Sequence, residues 1–480
     1  MADTRVLVIG LDGATWSILD DWINAGYLPN LARLRERGIW GNLTSIIPFV
    51  SPVAWPSFMT GNQPGRHGIY GFQQCRVGEY EPYIPLGSSV KSPTLWRILS
   101  DNGKKVVVMN VQMTYPVEKV DGVIIGGLMS PSVAKGVYPP ELSSWVEEQG
   151  YVIEGRGYMN TPKKEFLESL HESSRARTDV ALGLMDKVSD WDFFMILYSE
   201  TDRVQHYMWA DMEDGGEFKD AILDYYKVVD GQVGELLSKA GDDVTVFVVS
   251  DHGFTRQTKK VYIDHFLKEN GFIKTKKSLG NLKSWVMLKV SGFLKKTGLN
   301  NLIVKLMVKG GGSPDSIRPP KTELDWDASS AFTCSYYTGQ IYLNHILSSK
   351  DKEKVAGEII DKLRELKDPE TGQKIVKEIY RKEELYHGDA MAEAPDILIV
   401  PEDGYWIVGG FNYPELIQTG DRETGRHDLE GIVMVSGGNV KEGRLEGARL
   451  IDVAPTVLNL FGIESDMDGE PLKEAFAPEK

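Results

Sequence analysis

Long apolar runs, each closed by an acidic residue or a glycine, set the pattern of this chain. Residues 5–11, 193–198 and 244–250 are almost continuous in Val, Ile, Leu, Phe and Met. Runs of this kind, without polar alternation, predict parallel strands buried on both faces. Residues 105–111 and 122–126 read the same way. Between these runs the apolar spacing lengthens to a helical period. A helix is predicted over 16–37, broken at Gly26 and Pro29. Another is predicted over 165–188, and a third over 219–239, where Ile222, Tyr225, Tyr226, Val229, Val233 and Leu236 fall near helical spacing. Strand-like runs resume at 340–344, 396–400 and 431–435, and a closing helix is predicted over 452–461. Alternation of strand and helix predicts an α/β fold, a mostly parallel central sheet with helices on both faces.

One stretch departs from this rhythm. Residues 274–309 carry nine lysines and no acidic residue, with Trp285, Phe293, Leu302 and other apolar side chains between them. The segment predicts an inserted, partly helical cap whose lysines are solvated. It also suits an interfacial segment drawn to anionic lipid head groups. The chain is therefore read as a catalytic core over 1–265, an inserted cap over 266–390 and a second part of the core over 391–480.

Composition narrows the function classes. The chain has 480 residues, enough for one large α/β core plus an insertion. Lys+Arg total 54 against 69 Asp+Glu, a net charge of −15, which argues against binding a nucleic-acid polymer. Two cysteines, Cys75 and Cys334, are too few for a disulfide framework and point to a reducing compartment. The start runs straight into a strand with no secretory apolar region, and no run is long enough to span a bilayer. A cytoplasmic protein is expected, with any membrane contact peripheral and made through 274–309. The oligomeric state is not readable.

The chemistry gathers where the strands end. In open α/β sheets, reacting groups sit at the carboxyl ends of the strands. Asp12 closes the first run, Asp202 and His206 follow the 193–198 run, and Asp251-His252-Gly253 closes the 244–250 run. A late His427 lies in Gly425-Arg426-His427-Asp428. Asp202 and His206 are four residues apart, so one helical turn aims both at one ion. Three Asp and three His delivered to one sheet edge look like a two-metal site. His67 reads as ordering its loop. His171, His265, His345 and His387 read as structural or surface residues. Ser51, Ser57 and Thr60 lie in the segment 47–61, where Pro48, Pro52 and Pro56 are expected to fix turns. A serine is a poor nucleophile unless a base or metal lowers its pKa, and no Gly-x-Ser-x-Gly elbow is present at this segment.

Taken together these motifs resemble the alkaline phosphatase superfamily, nearest its type I phosphodiesterase/nucleotide pyrophosphatase branch. The resemblance is carried by Gly10-Leu11-Asp12-Gly13, Ser51 nine residues before Thr60-Gly61, and Pro64-x-x-His67-Gly68-Ile69. Thr201-Asp202-x-x-x-His206, Ser250-Asp251-His252-Gly253, Gly425-x-His427 and 451–458 complete it. It covers roughly 5–255 and 390–465. It implies Asp12, Ser51, Asp251 and His252 at one metal, and Asp202, His206 and His427 at the other. It implies two divalent ions, zinc or manganese, with Ser51 as nucleophile of a covalent phosphoserine. Four positive charges from two such ions would be offset by Asp12, Asp202, Asp251 and a Ser51 alkoxide. The substrate implied is a small phosphate ester or pyrophosphate.

Some positions depart from the resemblance. Phe72 stands 21 residues after Ser51, where the nucleotide pyrophosphatases carry an Asn that donates to the phosphoryl oxygen. No Arg follows Ser51 closely, as it does in alkaline phosphatases that grip a dianionic monoester. This favours diesters or pyrophosphates over a phosphomonoesterase. Pro52 and Trp55 do not fit the sulfatase nucleophile pattern. A phosphomutase similar to the cofactor-independent phosphoglycerate mutases is the alternative enzyme reading. Those carry their inserted domain soon after the nucleophile, whereas the largest insertion here follows His252. A non-catalytic membrane-surface protein using 274–309 is the alternative from another class. Trp55, and less so Phe72, is expected to line the leaving-group pocket.

Overall fold

The computed structural model describes residues 4–158, 161–276, 324–411 and 415–477. The basic segment singled out above lies, from residue 277 to 309, outside the described residues.

The first seven strands in chain order are β1 (Val6–Leu11), β2 (Gly38–Thr44), β3 (Val106–Met109), β4 (Gly122–Ile125), β5 (Val137–Tyr138), β6 (Phe193–Tyr198) and β7 (Thr245–Val249). β8 (Gly253–Tyr262) then leaves the main sheet. β9 (Ala331–Thr333), β10 (Ile341–Leu343), β11 (Val376–Arg381) and β12 (Ile397–Pro401) form a separate antiparallel sheet of four. β13 (Gly404–Val408), β14 (Ile417–Thr419) and β15 (Gly425–Asp428) pair with β8. β16 (Glu430–Ser436) and β17 (Gly443–Arg449) return to the main sheet, whose order is β17-β2-β16-β7-β1-β6-β3-β4-β5.

At the centre of that sheet β1 lies parallel to β6 on one side and β7 on the other. Leu11 pairs with Tyr198 and Gly10 with Val249, so the three strands end in register. That register is why Asp12, Asp202 and Asp251, far apart in sequence, meet at one edge. Every residue of β1, β6 and β7 is buried. Leu7, Ile9 and Leu11 pack into one apolar layer, and Val6 and Val8 into the other, as the two-residue period of a strand requires. Helices Lys163–Lys187 and Ala221–Ala240 cover the first layer and Val453–Leu460 the second. The break predicted within 16–37 is present, with helices Trp16–Asn24 and Pro29–Glu36.

Three expectations are corrected. The runs at 340–344 and 396–400 do not extend the main sheet but pair in the small antiparallel one. The prolines after Ser51 do not make successive turns, because Ser51–Thr60 is one buried helix. Pro52 sits in its first turn, where the missing N–H has no intrahelical acceptor anyway. Ser57 and Thr60 return their hydroxyls to the carbonyls of Val53 and Pro56 inside that helix. Finally, Cys75 and Cys334 form a disulfide, their Cα atoms 6.0 Å apart. The fold, not the count, brings them together, so the cysteines give no support to a reducing compartment. No helix among the described residues is long and apolar enough to cross a membrane.

Candidate active site

Local structure aims each of the expected side chains at one point. Ser51 is the first residue of its helix, after the extended Val50, so its hydroxyl sits at the positive end of the helix dipole. Asp12 follows β1 directly. Asp202 and His206 lie in the first two turns of helix Glu200–Asp214, which follows β6. Asp251 and His252 join β7 to β8. Gly253 permits close packing there. A Cβ there would lie 2.1 Å from the carbonyl oxygen of Glu430 on β16. β15 pairs His427 with Phe254, which sets His427 beside His252. Their rings stack with centroids 3.8 Å apart. Gly425 makes this approach possible, since a Cβ there would lie 2.5 Å from the carbonyl oxygen of Gln205.

Two clusters result. In the first, Asp12, Asp251 and His252 are fully buried. Ser51 Oγ lies 3.1 Å from His252 Nε2 and donates to Asp12 Oδ1 at 3.3 Å. In the second, His427 Nε2 and His206 Nε2 lie 3.1 and 3.3 Å from Asp202 Oδ1 and 2.9 Å from each other. Within each cluster the ligand atoms all fall within 4.8 Å of one another.

The hydrogen bonds around these clusters fix what the ring nitrogens do. His206 Nδ1 faces the Gly425 carbonyl at 2.8 Å, His427 Nδ1 the Phe49 carbonyl at 3.1 Å and His252 Nδ1 the Gly253 carbonyl at 3.0 Å. A carbonyl only accepts, so each Nδ1 carries the proton and each Nε2 keeps a lone pair pointed inward. Two such lone pairs at 2.9 Å repel unless a cation lies between them. Asp202 Oδ1 and Asp251 Oδ2 are buried without hydrogen-bonded partners, although each lies near an Nε2. Unpartnered buried acceptors beside converging imidazoles are what a divalent cation satisfies. The residues therefore fit two ions.

The electrostatics agree. Burial pushes Asp12 well above the usual carboxylate range, and the charges of Asp251 and Asp202 push it further. Burial lifts Asp251 to about 7, with Asp202 adding to it against a hydrogen bond from Asp12. Burial also acts on Asp202, but His206 and His427 outweigh it and hold that carboxyl well below the usual range. Burial drives His427 down to about 3, helped by His252. Burial lowers His252 too. Burial works against a charge on His206, but Asp202 outweighs it and raises the imidazole. Without added cations, the first cluster must hold protons to be stable.

Supporting residues were not all legible. Trp55, expected at the pocket, is fully buried behind the site and its indole N–H donates to Asp12 Oδ2 at 3.1 Å. Gln112 donates to the same oxygen at 3.2 Å. It follows β3, so the strand-end rule that found Asp12 reaches it as well. His67 does order its loop: Ile69 N donates to its Nδ1 and its Nε2 meets Ser57 Oγ at 2.9 Å. In front of Ser51 opens a cavity of about 450 Å³. Phe72 and Tyr337 pack together at its wall, and Trp406 stacks 5.5 Å from His206. Tyr337 and Trp406 come from the part of the chain least readable in sequence.

The type I phosphodiesterase/nucleotide pyrophosphatase family model matches residues 6–429. No curated protein matches. Among solved structures, phosphonoacetate hydrolase from Sinorhizobium meliloti is similar at 15% identity and a TM-score of 0.61, covering 95% of this chain and 96% of its own. Human ectonucleotide pyrophosphatase/phosphodiesterase 5 is similar at 12% identity and a TM-score of 0.56, covering 99% and 100%. The alkaline phosphatase PafA, as a multiple mutant, is similar at 16% identity and a TM-score of 0.59, with the same coverage. These likenesses show the fold.

Proposed function

This chain belongs to the type I phosphodiesterase/nucleotide pyrophosphatase family and is a phosphoric ester hydrolase, and from that premise we propose that it cleaves a phosphodiester or pyrophosphate through a covalent phosphoserine on Ser51. The observation that carries the reading is the convergence of three lone-pair Nε2 atoms and three carboxylates in two clusters around the Ser51 hydroxyl, with Ser51, Asp202, His206 and His427 lining one cavity.

Asp12, Asp251 and His252 would hold one divalent ion beside Ser51, and Asp202, His206 and His427 the other. Oxygen and imidazole donors suit zinc and manganese alike. Bound there, such ions favour an ionised serine, neutralise the phosphoryl oxygens and stabilise the leaving oxygen. Ser51 supplies the attacking oxygen. Its Oγ bonds to phosphorus as the bond to the leaving group breaks, and water later cleaves the phosphoserine. In the first turn of helix Ser51–Thr60, Pro52 has no N–H and those of Val53 and Ala54 reach the Val50 carbonyl, which leaves the Ser51 N–H, at a positive helix end, as the donor to a phosphoryl oxygen. Trp55 and Gln112 hold Asp12 in place through the oxygen it turns away from Ser51. The cavity suits a small molecule rather than a polymer.

Hydrolysis of bis-p-nitrophenyl phosphate and of p-nitrophenyl phosphate, with Zn²⁺ or Mn²⁺, tests this in wild type and Ser51→Ala. Diester cleavage lost in a variant that still binds metal is the expected result. Turnover that survives Ser51→Ala would refute the serine step.

A further inference from the structure

One group in the cavity wall has no part in the chemistry above. Arg203 follows Asp202 on helix Glu200–Asp214 and is the sole lysine or arginine among the described residues lining this cavity. Its Nη2 donates to the carbonyl of Arg156 at 2.6 Å and of Gly155 at 3.4 Å, which fastens the guanidinium at one end. Its face lies over the Phe166 ring at 5.6 Å. Its Nη1 is buried and has no hydrogen-bond partner. A buried donor left unmade is costly, the more so when it is charged. In the same wall Asp202 Oδ1 and Gln112 Oε1 are unpartnered acceptors; Arg203 Nη1 is the unpartnered donor. Lys260, whose ammonium lies over the Trp406 ring, is already paired with Asp421 and Glu423.

Position decides which part of a substrate this donor meets. An in-line displacement sets the attacking and leaving oxygens on opposite sides of phosphorus. Ser51 stands with Asp12 and His252. The leaving oxygen therefore points toward Asp202, His206 and His427, which line the cavity together with Arg203. Resting on the proposed hydrolase reading, we infer that Arg203 is a specificity-determining residue that grips a second anionic group, phosphate or carboxylate, carried on the leaving group. The natural substrate is then a pyrophosphate, or a diester whose leaving group is itself an anion. A fastened, planar guanidinium with a buried, unpartnered Nη1 suits either oxyanion.

Three probes separate the cases: bis-p-nitrophenyl phosphate, the pyrophosphate diester bis-p-nitrophenyl pyrophosphate, and bis-p-carboxyphenyl phosphate. Each is compared in wild type, Arg203→Gln and Arg203→Lys. The expected result is that Arg203→Gln lowers kcat/KM for one of the anionic-leaving-group probes at least tenfold more than for bis-p-nitrophenyl phosphate. Arg203→Lys should recover part of that ratio, and the probe affected identifies phosphate or carboxylate. Equal losses on all probes would mean that Arg203 only anchors the 155–156 turn, and would overturn the inference. If Arg203→Gln fails to fold, the same ratio read in Arg203→Lys decides. Wild type active on bis-p-nitrophenyl phosphate but not on either anionic probe sinks the inference alone. Wild type inactive on all three, with metal bound, sinks the hydrolase reading and the inference with it.

Discussion

Asp251→Asn should stabilise the metal-free protein while weakening the metal-loaded one. Asp251 is fully buried and its carboxyl is lifted to about 7, chiefly by burial. A folded value above the unfolded one contributes stability that is complete at low pH and lost as pH rises through about 7. At pH 8, ionising this carboxyl in the folded, metal-free protein costs about 2–4 kcal/mol, reckoned at about 1.4 kcal/mol per pKa unit and reduced for its coupling to Asp12. An Asn at the same place removes that cost. Its oxygen can still accept from Gly13 N, as Asp251 Oδ1 does at 3.3 Å, and its amide can donate to His252 Nε2, now 3.3 Å from Oδ2. Unfolding entropy near 2 cal/mol/K per residue turns the gain into a rise of roughly 2–4 °C in the Tm of a chain this long. At pH 5 the gain should shrink to under half. With Zn²⁺ or Mn²⁺ at about a thousand times Kd, wild type gains about 4 kcal/mol by mass action and the variant, short of one anionic ligand, gains less. Thermal unfolding with EDTA and with metal, at pH 5 and pH 8, reads all four corners. A variant less stable than wild type in EDTA at pH 8 would refute the reasoning.

Gly253→Ala places a Cβ 2.1 Å from the Glu430 carbonyl oxygen, so β16 and the His252 turn must part by about 1 Å. A misplacement of that size costs on the order of a hundredfold in kcat/KM, and a variant with wild-type diester kinetics would contradict it. Trp55→Phe keeps the ring but removes the donor to Asp12 Oδ2; metal affinity, read by chelator competition, should fall about 10–100-fold. Burial holds His67 at about 3 in the folded protein, below its ordinary value of about 6.5. Its contribution to stability is thus present above about 6.5 and lost as pH falls, by about 1.4 kcal/mol per unit. His67→Gln should narrow the difference in unfolding free energy between pH 7 and pH 5 by about 2 kcal/mol in urea titrations.

What the sequence disclosed and what it hid follow from how local each feature is. Asp12, Asp202 and Asp251 could be found because each ends or follows an unbroken buried strand, and β1, β6 and β7 end in register. His427 rested on a short motif alone. Its delivery depends on β15, four residues long and paired with a strand some 170 positions earlier, which no periodicity reveals. The Ser51 helix was hidden by Pro52 and Pro56, whose local signal is a turn, while burial of all ten residues holds the helix together. Gly253 needs room beside β16, a strand far along the chain, so its local sequence does not disclose that need. Tyr337 and Trp406 reach the cavity only through pairing of distant strands, and nothing near them in sequence indicates it.

The Cys75–Cys334 bridge closes a covalent ring around most of the molecule. Asp202, His206, Asp251 and His252 lie inside the ring, while Asp12, Ser51 and His427 lie on the two tails. A peptide bond cut anywhere between the two cysteines therefore releases nothing. The pieces stay tethered, both halves of the site stay at high local concentration, and a gel run without reductant still shows one full-length band. Reductant would split that band in two. Limited proteolysis of this protein thus has to be scored under both conditions, because survival of activity after a nick records the tether as much as the fold.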